Sequence, residues 1–362
     1  WPVTSSIKAS SSNMQNVAFV WTEFQQNILN AILLQDQRQI DVLFIRKGIG
    51  EFSNLVNSSK RVVNLHDTAC SYRNSRVLRR EIQTNVKPYL SKEQSVRVYS
   101  WTVDHPYVRS VIFDASCEEL HLFEDGTGSY VDFGWFNHKL GVKALLSKLA
   151  LHASLHEHGA FSRYPTDLPI YGWSLFPGAY PRIPTIRKEL FHQEYRNSIS
   201  LMDGESDSAA PQIPDGSIFY IPSPYADCNL VSDEEEVEMH SQALSLLVED
   251  GDIAYGATIY WKPHPRANPE RERERIKCIE GRSGLCVKVV EGNVGMESIA
   301  LKNKNIELSF FSLASSALYG ISALGIDNHR VCAVRLKELT NRFPHIVSLY
   351  DFFDKAKIRI IG

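Results

Sequence analysis

Short apolar runs recur along the chain, separated by polar stretches with helical periodicity. In the first half, residues 16–21, 40–45, 61–65, 95–100, 108–114 and 119–123 read as strands. Runs this short and this rich in Val, Ile and Phe suit a pleated, buried surface. Between them, 23–34 places Phe24, Ile28, Ala31 and Ile32 on one helical face behind a Thr22 cap. Residues 76–90 read as a basic helix and 139–156 as an apolar-faced one. In the second half, 217–222, 257–262, 287–290, 306–311 and 331–334 read as strands. Helices are expected at 233–248, at 295–300 and from 312–317 onward. Strands alternating with helices predict parallel, doubly wound α/β sheets, which bind ligands beyond the carboxyl ends of their strands.

Punctuation divides the pattern. Residues 160–185 carry Pro165, Pro169, Pro177, Pro181 and Pro184 among aromatics, which predicts irregular chain between lobes. Residues 203–216 have the Gly, Ser, Asp and Pro content of a linker. The expected division is a first Rossmann-like lobe at 16–159, an inter-lobe segment at 160–216, a second lobe at 217–335 and a helical C-terminal segment at 336–362. Residues 1–15 are Ser-rich and expected to be poorly ordered; without an initiator Met, they read as a truncated or processed end. The charged stretch 269–277 reads as a solvated helix face. In the tail, Phe352, Phe353, Ile358, Ile360 and Ile361 alternate with Lys355, Lys357 and Arg359. That segment could pack back on the first lobe or lie at an anionic membrane surface.

Composition narrows the class. The length of 362 residues fits two domains of ~100–200 residues each. A net charge of -3 gives no global basic field, and nucleic acid is not an expected partner. The six cysteines are scattered, with no CxxC pair and no zinc spacing, which points to a reducing, cytoplasmic setting. No apolar run reaches the ~18 residues of a membrane-spanning helix.

Three constellations carry chemistry. Glu124 and Asp125 end an apolar run and precede Gly126 and Gly128. They form either an acidic turn or a carboxylate base, beside a backbone that a substrate can approach closely. Lys262-Pro263-His264-Pro265-Arg266 stiffens a His between two prolines and two cations, a local site suited to phosphate. His105-Pro106 lacks such neighbours and reads as structural or capping. Ser312-Leu313-Ala314-Ser315-Ser316 joins a strand to a helix start, offering hydroxyls and unpaired N–H groups, or an ordinary Ser cap.

In this order, an acidic pair before glycine, a His-Pro and a serine pair resemble the bacterial sialyltransferases of GT-B type, in the capsule polysialyltransferase and lipooligosaccharide sialyltransferase group. The resemblance spans roughly residues 16–330. It implies a GT-B-like fold, two Rossmann-like lobes with a cleft between them. It implies CMP-Neu5Ac as donor, a sialylated or galactosylated glycan as acceptor, inversion, and no metal or other cofactor. One of Asp125 and Glu124 would deprotonate the acceptor, with Asp125 preferred. His264, Ser315 and Ser316 would hold the donor phosphate, and Glu297 would bind the ribose or sit on a helix surface. Gly126, Lys262, Pro265 and Arg266 would complete the donor side. Arg73, Arg76, Arg79 and Arg80, with Lys87, form either a track for an anionic acceptor or a solvated helix face. The alternatives are a transferase of another CMP-activated keto acid (Kdo, pseudaminic or legionaminic acid) and a binding protein with a decayed fold.

Overall fold

The computed structural model describes residues 14–47, 54–66, 72–91, 93–103, 105–113, 117–124, 168–175, 197–198, 210–264, 267–292, 294–344 and 346–362, with the single positions 146, 150 and 201. The first lobe is built on β1 (Met14–Val20), β2 (Val42–Arg46), β3 (Val62–Leu65), β4 (Ser95–Ser100), β5 (Cys117–Phe123), β6 (Ile170–Ser174) and β7 (Asn197–Ser198). They lie in the order β3-β2-β1-β4-β5-β6-β7, all neighbours parallel. The second lobe has β8 (Ser217–Tyr220), β9 (Thr258–Trp261), β10 (Cys286–Val289), β11 (Leu308–Ser312), β12 (His329–Val334) and β13 (Arg359–Ile361). Their order is β10-β9-β8-β11-β12-β13, again all parallel.

The two sheets share one winding. Each begins at its centre, steps to one edge, returns, and steps to the other edge. Strand order therefore reverses between β1 and β4 and again between β8 and β11, which opens a crevice at the carboxyl ends there. Central strands are sealed on both faces: Val17 to Val20 and Phe310 to Phe311 are buried, as expected of parallel strands under helices.

Capping residues set where the crossover helices begin. Thr22 accepts from the Gln25 N–H at 3.1 Å and starts α1 (Glu23–Asp36). The first lobe continues with α2 (Asn54–Ser58), α3 (Ser75–Glu81) and α4 (Pro106–Ile112). A π-helical turn, Ile82–Val86, extends α3. Ser232 and Glu235 form a reciprocal capping box at the start of α5 (Asp233–Glu249). Asn268 caps α6 (Pro269–Ser283) through the Glu270 and Arg271 N–H groups. Then come α7 (Met296–Lys302), α8 (Ser316–Ala323), α9 (Lys337–Arg342) and α10 (Ile346–Lys355).

The structure corrects four expectations. Within the run 108–114, residues 108–112 are not a strand but most of α4, which is buried throughout. The β-branched run mimics a strand, but His105 Nδ1 accepts from the Tyr107 N–H and Pro106 fills the first helical position, so a helix starts there. His105 is thus a cap, as its surroundings in the sequence suggested. The proline-rich segment supplies β6, paired with β5 from Leu120–Ile170 to Phe123–Trp173. Five residues behind Pro169 are too short to show periodicity. The charged start of α6 is not wholly solvated: Glu272 and Arg275 are buried. Finally, the C-terminal segment ends in β13, a strand of the second sheet, rather than in helix. Arg335 N–H donates to the Ile361 carbonyl at 2.7 Å, and the Tyr350 hydroxyl lies within 3.0 Å of the Leu313 and Val334 carbonyls. The expected 139–156 helix falls almost entirely outside the described residues.

Among the described residues, a ring contact joins the lobes. Phe24, in the first turn of α1, meets Tyr319 of α8 edge-on, with centroids 5.6 Å apart. Both helices leave the carboxyl ends of central strands, β1 and β11. The contact therefore turns the two carboxyl edges toward each other. No helix among the described residues is long and apolar enough to cross a membrane.

Phe352, Phe353, Ile358 and Ile361 are buried in the second lobe. At roughly 1.5–3 kcal/mol for each large apolar side chain, the tail contributes on the order of 6–12 kcal/mol, comparable to the whole stability of a domain. Deleting 351–362 is expected to abolish the cooperative unfolding transition of the second lobe in calorimetry. A truncated chain that still melts cooperatively near the parent temperature would contradict this packing.

Candidate active site

In the second lobe, β9 runs into Lys262-Pro263-His264. The Lys262 ammonium donates to the Gly292 carbonyl in the loop after β10, tying two neighbouring loops. His264 is half-buried, and its carbonyl accepts from Ala267 N–H at 2.9 Å, so the loop turns back at once into α6. Pro265 and Arg266 lie outside the described residues.

Two strands away, β11 ends in buried Ser312. Its hydroxyl donates to the Ile221 carbonyl at 2.6 Å and accepts from Ser315 N–H at 3.0 Å. The loops after β8 and β11 are thereby fastened together at the crevice. The Ser315 hydroxyl caps α8 by accepting from Ala317 N–H at 3.2 Å, and Ser316 is exposed at the first helical position. Since β9 and β11 are the two neighbours of β8, His264 and Ser315–Ser316 flank one strand at one edge.

Glu297, in the first turn of α7, reaches the same helix. A Cβ on Gly320 of α8 would overlap its carboxylate, coming within 2.9 Å of Cδ. Glycine is required here for close approach, and the half-buried Glu297 lies against the helix that Ser315 starts.

In the first lobe, Glu124 follows β5 and is fully buried. Its Oε2 accepts from the Ser174 hydroxyl at 3.0 Å and the Leu175 N–H at 3.1 Å. Glu124 is therefore anchored across the ends of β5 and β6, in a pairing hidden by the proline-rich composition of 160–185. Asp125 and Gly126 lie outside the described residues. Arg73, Arg76, Arg79 and Arg80 are exposed, and none forms an ion pair among the described residues. They begin where the chain leaves the carboxyl end of β3 and descend toward Tyr89, whose carbonyl receives Gln15 beside the start of β1. From Arg73 to Arg80 this basic face spans about 10 Å.

A polar depression of about 580 Å³ opens at the opposite, amino edge of the first sheet, beside Asn16, Arg38, Asp41, Lys60 and Arg97. Its charges are paired, Lys60 with Asp41 at 2.7 Å, Arg38 with Asp36 at 3.5 Å, and Arg97 with Glu119 outside it. It does not belong to the three constellations.

Sequence reasoning missed a buried cluster beneath the His264 loop. Arg275 donates to Asp227 at 2.6 Å and Glu236 at 2.7 Å, and pairs with Glu272 at 2.9 Å. With Asp233 at 3.4 Å, one guanidinium faces four carboxylates there. Burial pushes the Glu236 carboxyl up to about 7, against the pull of the Ala226 N–H and Arg275, and raises Glu272 as well. Beside it His240 is buried with its Nδ1 2.9 Å from the Tyr220 hydroxyl, and burial lowers its pKa to about 3. The one available signal was Trp261, a strand tryptophan whose N–H needs a partner, here Glu272 at 2.7 Å.

The model of the alpha-2,8-polysialyltransferase (POLYST) family matches residues 10–323. The chain belongs to this family. It is a glycosyltransferase of the CMP-sugar-dependent sialyltransferase kind, with CMP-sialic acid as donor and a glycan as acceptor. Its two lobes are each a parallel, doubly wound sheet, as the resemblance implied. No curated protein sequence matches the chain. Solved structures with a similar chain path include a Listeria monocytogenes protein assigned as a UDP-N-acetylglucosamine 2-epimerase, at 11% identity and TM-score 0.48, covering 96% of this chain and 90% of that one. The heptosyltransferase WaaC of E. coli shares 12% identity at TM-score 0.42, covering 94% and 99%. The UDP-GlcNAc 2-epimerase of Neisseria meningitidis shares 8% at TM-score 0.44, covering 94% and 91%.

The buried His240 of this family member gives a pH test. Unfolded, it takes up a proton as pH falls through about 6.5; folded, only near about 3. The unfolded state binds more protons between these values, so stability falls as pH drops through that window. Glu236 acts oppositely, losing stability as pH rises from about 4.5 to about 7, so the parent and a variant must be compared. Urea unfolding from about pH 7 to about pH 4 is expected to lose less stability in His240→Gln than in the parent. Equal losses would contradict a neutral buried ring.

Proposed function

We propose that the chain is an inverting sialyltransferase that moves sialic acid from CMP-Neu5Ac to a hydroxyl of a sialylated glycan, without a divalent ion. The observation that carries the reading is the flanking of β8 by His264 on one side and Ser315–Ser316 on the other, at the edge turned toward the first lobe. A nucleotide phosphate held there receives a hydrogen bond from His264 and further ones from the α8 start, whose partial positive charge favours an anion. Fixed dipoles and a cation stabilise departing CMP as the sugar passes through an oxocarbenium-like state. Glu297, laid along α8, suits the ribose hydroxyls. Lys262 braces the loop.

The acceptor approaches from the first lobe. Glu124 already accepts two hydrogen bonds inside the protein, which supports an anchoring role. Asp125, the next residue, is then the base that removes the acceptor proton, with Gly126 leaving room for the sugar. A capsule polysialic acid or a lipooligosaccharide glycan fits an exposed arginine face, because each sialic acid carries one carboxylate and weak contacts add along a chain. The apolar part of the C-terminal tail is committed to the core, leaving Lys355, Lys357 and Arg359 as the exposed part able to meet a membrane.

Incubation with CMP-Neu5Ac and labelled sialylated or galactosylated acceptors tests the reading. Asp125→Asn and His264→Ala are each expected to lower turnover by roughly 10²-fold or more, and turnover of the parent is expected to persist in excess chelator. Full activity in both variants would overturn the site. Replacing Arg76, Arg79 and Arg80 by Ala together is expected to shorten the product while sparing the first transfer; unchanged chain length would remove the arginine face from the account.

A further inference from the structure

We infer that the buried Arg275–Asp227 cluster is a positioning device for His264, clamping the loop after β9 to the loop after β8. The inference rests on the reading of His264 as the partner of the donor phosphate. Both flanks of the His264 loop are tied to the cluster. Before it, the Trp261 indole N–H donates to Glu272 Oε1 at 2.7 Å. After it, Asn268 N–H reaches Asp227 Oδ2 at 3.4 Å, while its side chain caps α6. Two residues separate Trp261 from His264, and three separate His264 from Asn268. A span this short, with proline beside the His, has little freedom once both ends are held.

The opposite jaw is the loop after β8. Asp227 spends both carboxylate oxygens on arginines, Oδ1 on Arg271 at 3.1 Å and Oδ2 on Arg275 at 2.6 Å. Arg271 also grips Asp233 at the start of α5, at 2.6 Å. Arg275 bridges Glu236, which accepts from the Ala226 N–H, to Glu272, which accepts from Trp261. A single guanidinium thus links the backbone of one loop to the strand end that launches the other.

Stability alone is a weak reason for such a cluster. Buried ion pairs seldom outperform apolar packing of the same volume, because desolvation offsets the Coulomb gain. What the cluster does supply is geometry, and a displacement of the order of 1 Å at a reacting group can cost about 10²-fold. The cluster touches neither of the other two phosphate-binding elements, Ser315 and Ser316, among its described contacts. Its loss should therefore be felt through His264.

Calorimetric titration with CMP and with cytidine separates this role from simple folding. Asp227→Asn and Arg275→Lys are expected to weaken CMP about tenfold while leaving cytidine within about twofold, since the phosphate alone reports on His264. In a His264→Ala background, Asp227→Asn is expected to add less than about twofold. If Asp227→Asn does not fold, Trp261→Phe, which keeps an aromatic ring and deletes the N–H, is expected to show the same CMP-against-cytidine split. Equal losses for both ligands, or a full additional loss in the His264→Ala background, overturn the inference. If His264→Ala itself leaves CMP affinity unchanged, the His264 reading fails and takes the inference with it.

Discussion

Parallel strand pairing is the constraint on which the molecule depends. A parallel neighbour cannot be reached by a tight turn, so the chain must cross back over the sheet, here mostly as helix. Every strand then points the same way, and every loop that leaves a carboxyl end falls on one edge. Glu124, His264 and Ser315 are scattered over the chain, yet each lies just beyond the carboxyl end of a strand of such a sheet. The reversal of strand order beside β1 and β8 opens the crevice that those loops line. Phe24 against Tyr319 then turns one lobe's loop edge toward the other's.

Within that frame, several buried polar groups fasten the loops at the carboxyl edge. Ser312 fastens the loop after β11 to that after β8. Ser174 and the Leu175 N–H hold Glu124. Arg275 joins the loops after β8 and β9 through Asp227, Glu236 and Glu272. Each of these groups would be costly to leave unpaired in the interior. The chemistry-bearing loops are thus held by bonds whose loss the protein cannot tolerate cheaply.

Much of this was legible in the sequence. Strands that are buried on both faces announce themselves as apolar runs, and β1, β2, β4, β5, β8, β9, β11 and β12 do so. The exceptions have physical reasons. The run 108–114 has strand composition, but a His-Pro cap and the burial of 106–112 make a helix there. β6 is five residues behind a proline, and β13 is three residues in a charged tail; both are too short to carry a period. In α6, a run of Glu and Arg looks solvated because a single sequence cannot show that Arg275 turns inward to carboxylates from two other elements. The site divides the same way: residue types at strand ends were readable, but not their partners. The Ser315 cap is local and was among the sequence's own alternatives, whereas Glu297 over Gly320 and Glu124 under β6 depend on contacts distant in sequence. Asp125, Gly126, Pro265 and Arg266 lie outside the described residues.

The central claim is that the second lobe holds the donor phosphate between the His264 loop and the start of α8. A crystal structure of the protein with CMP tests it most directly. The account predicts phosphate oxygens within hydrogen-bonding distance of His264 and of Ser315 or Ser316, with the ribose toward Glu297. A nucleotide seated instead at the carboxyl ends of β1 and β4 in the first lobe would contradict it.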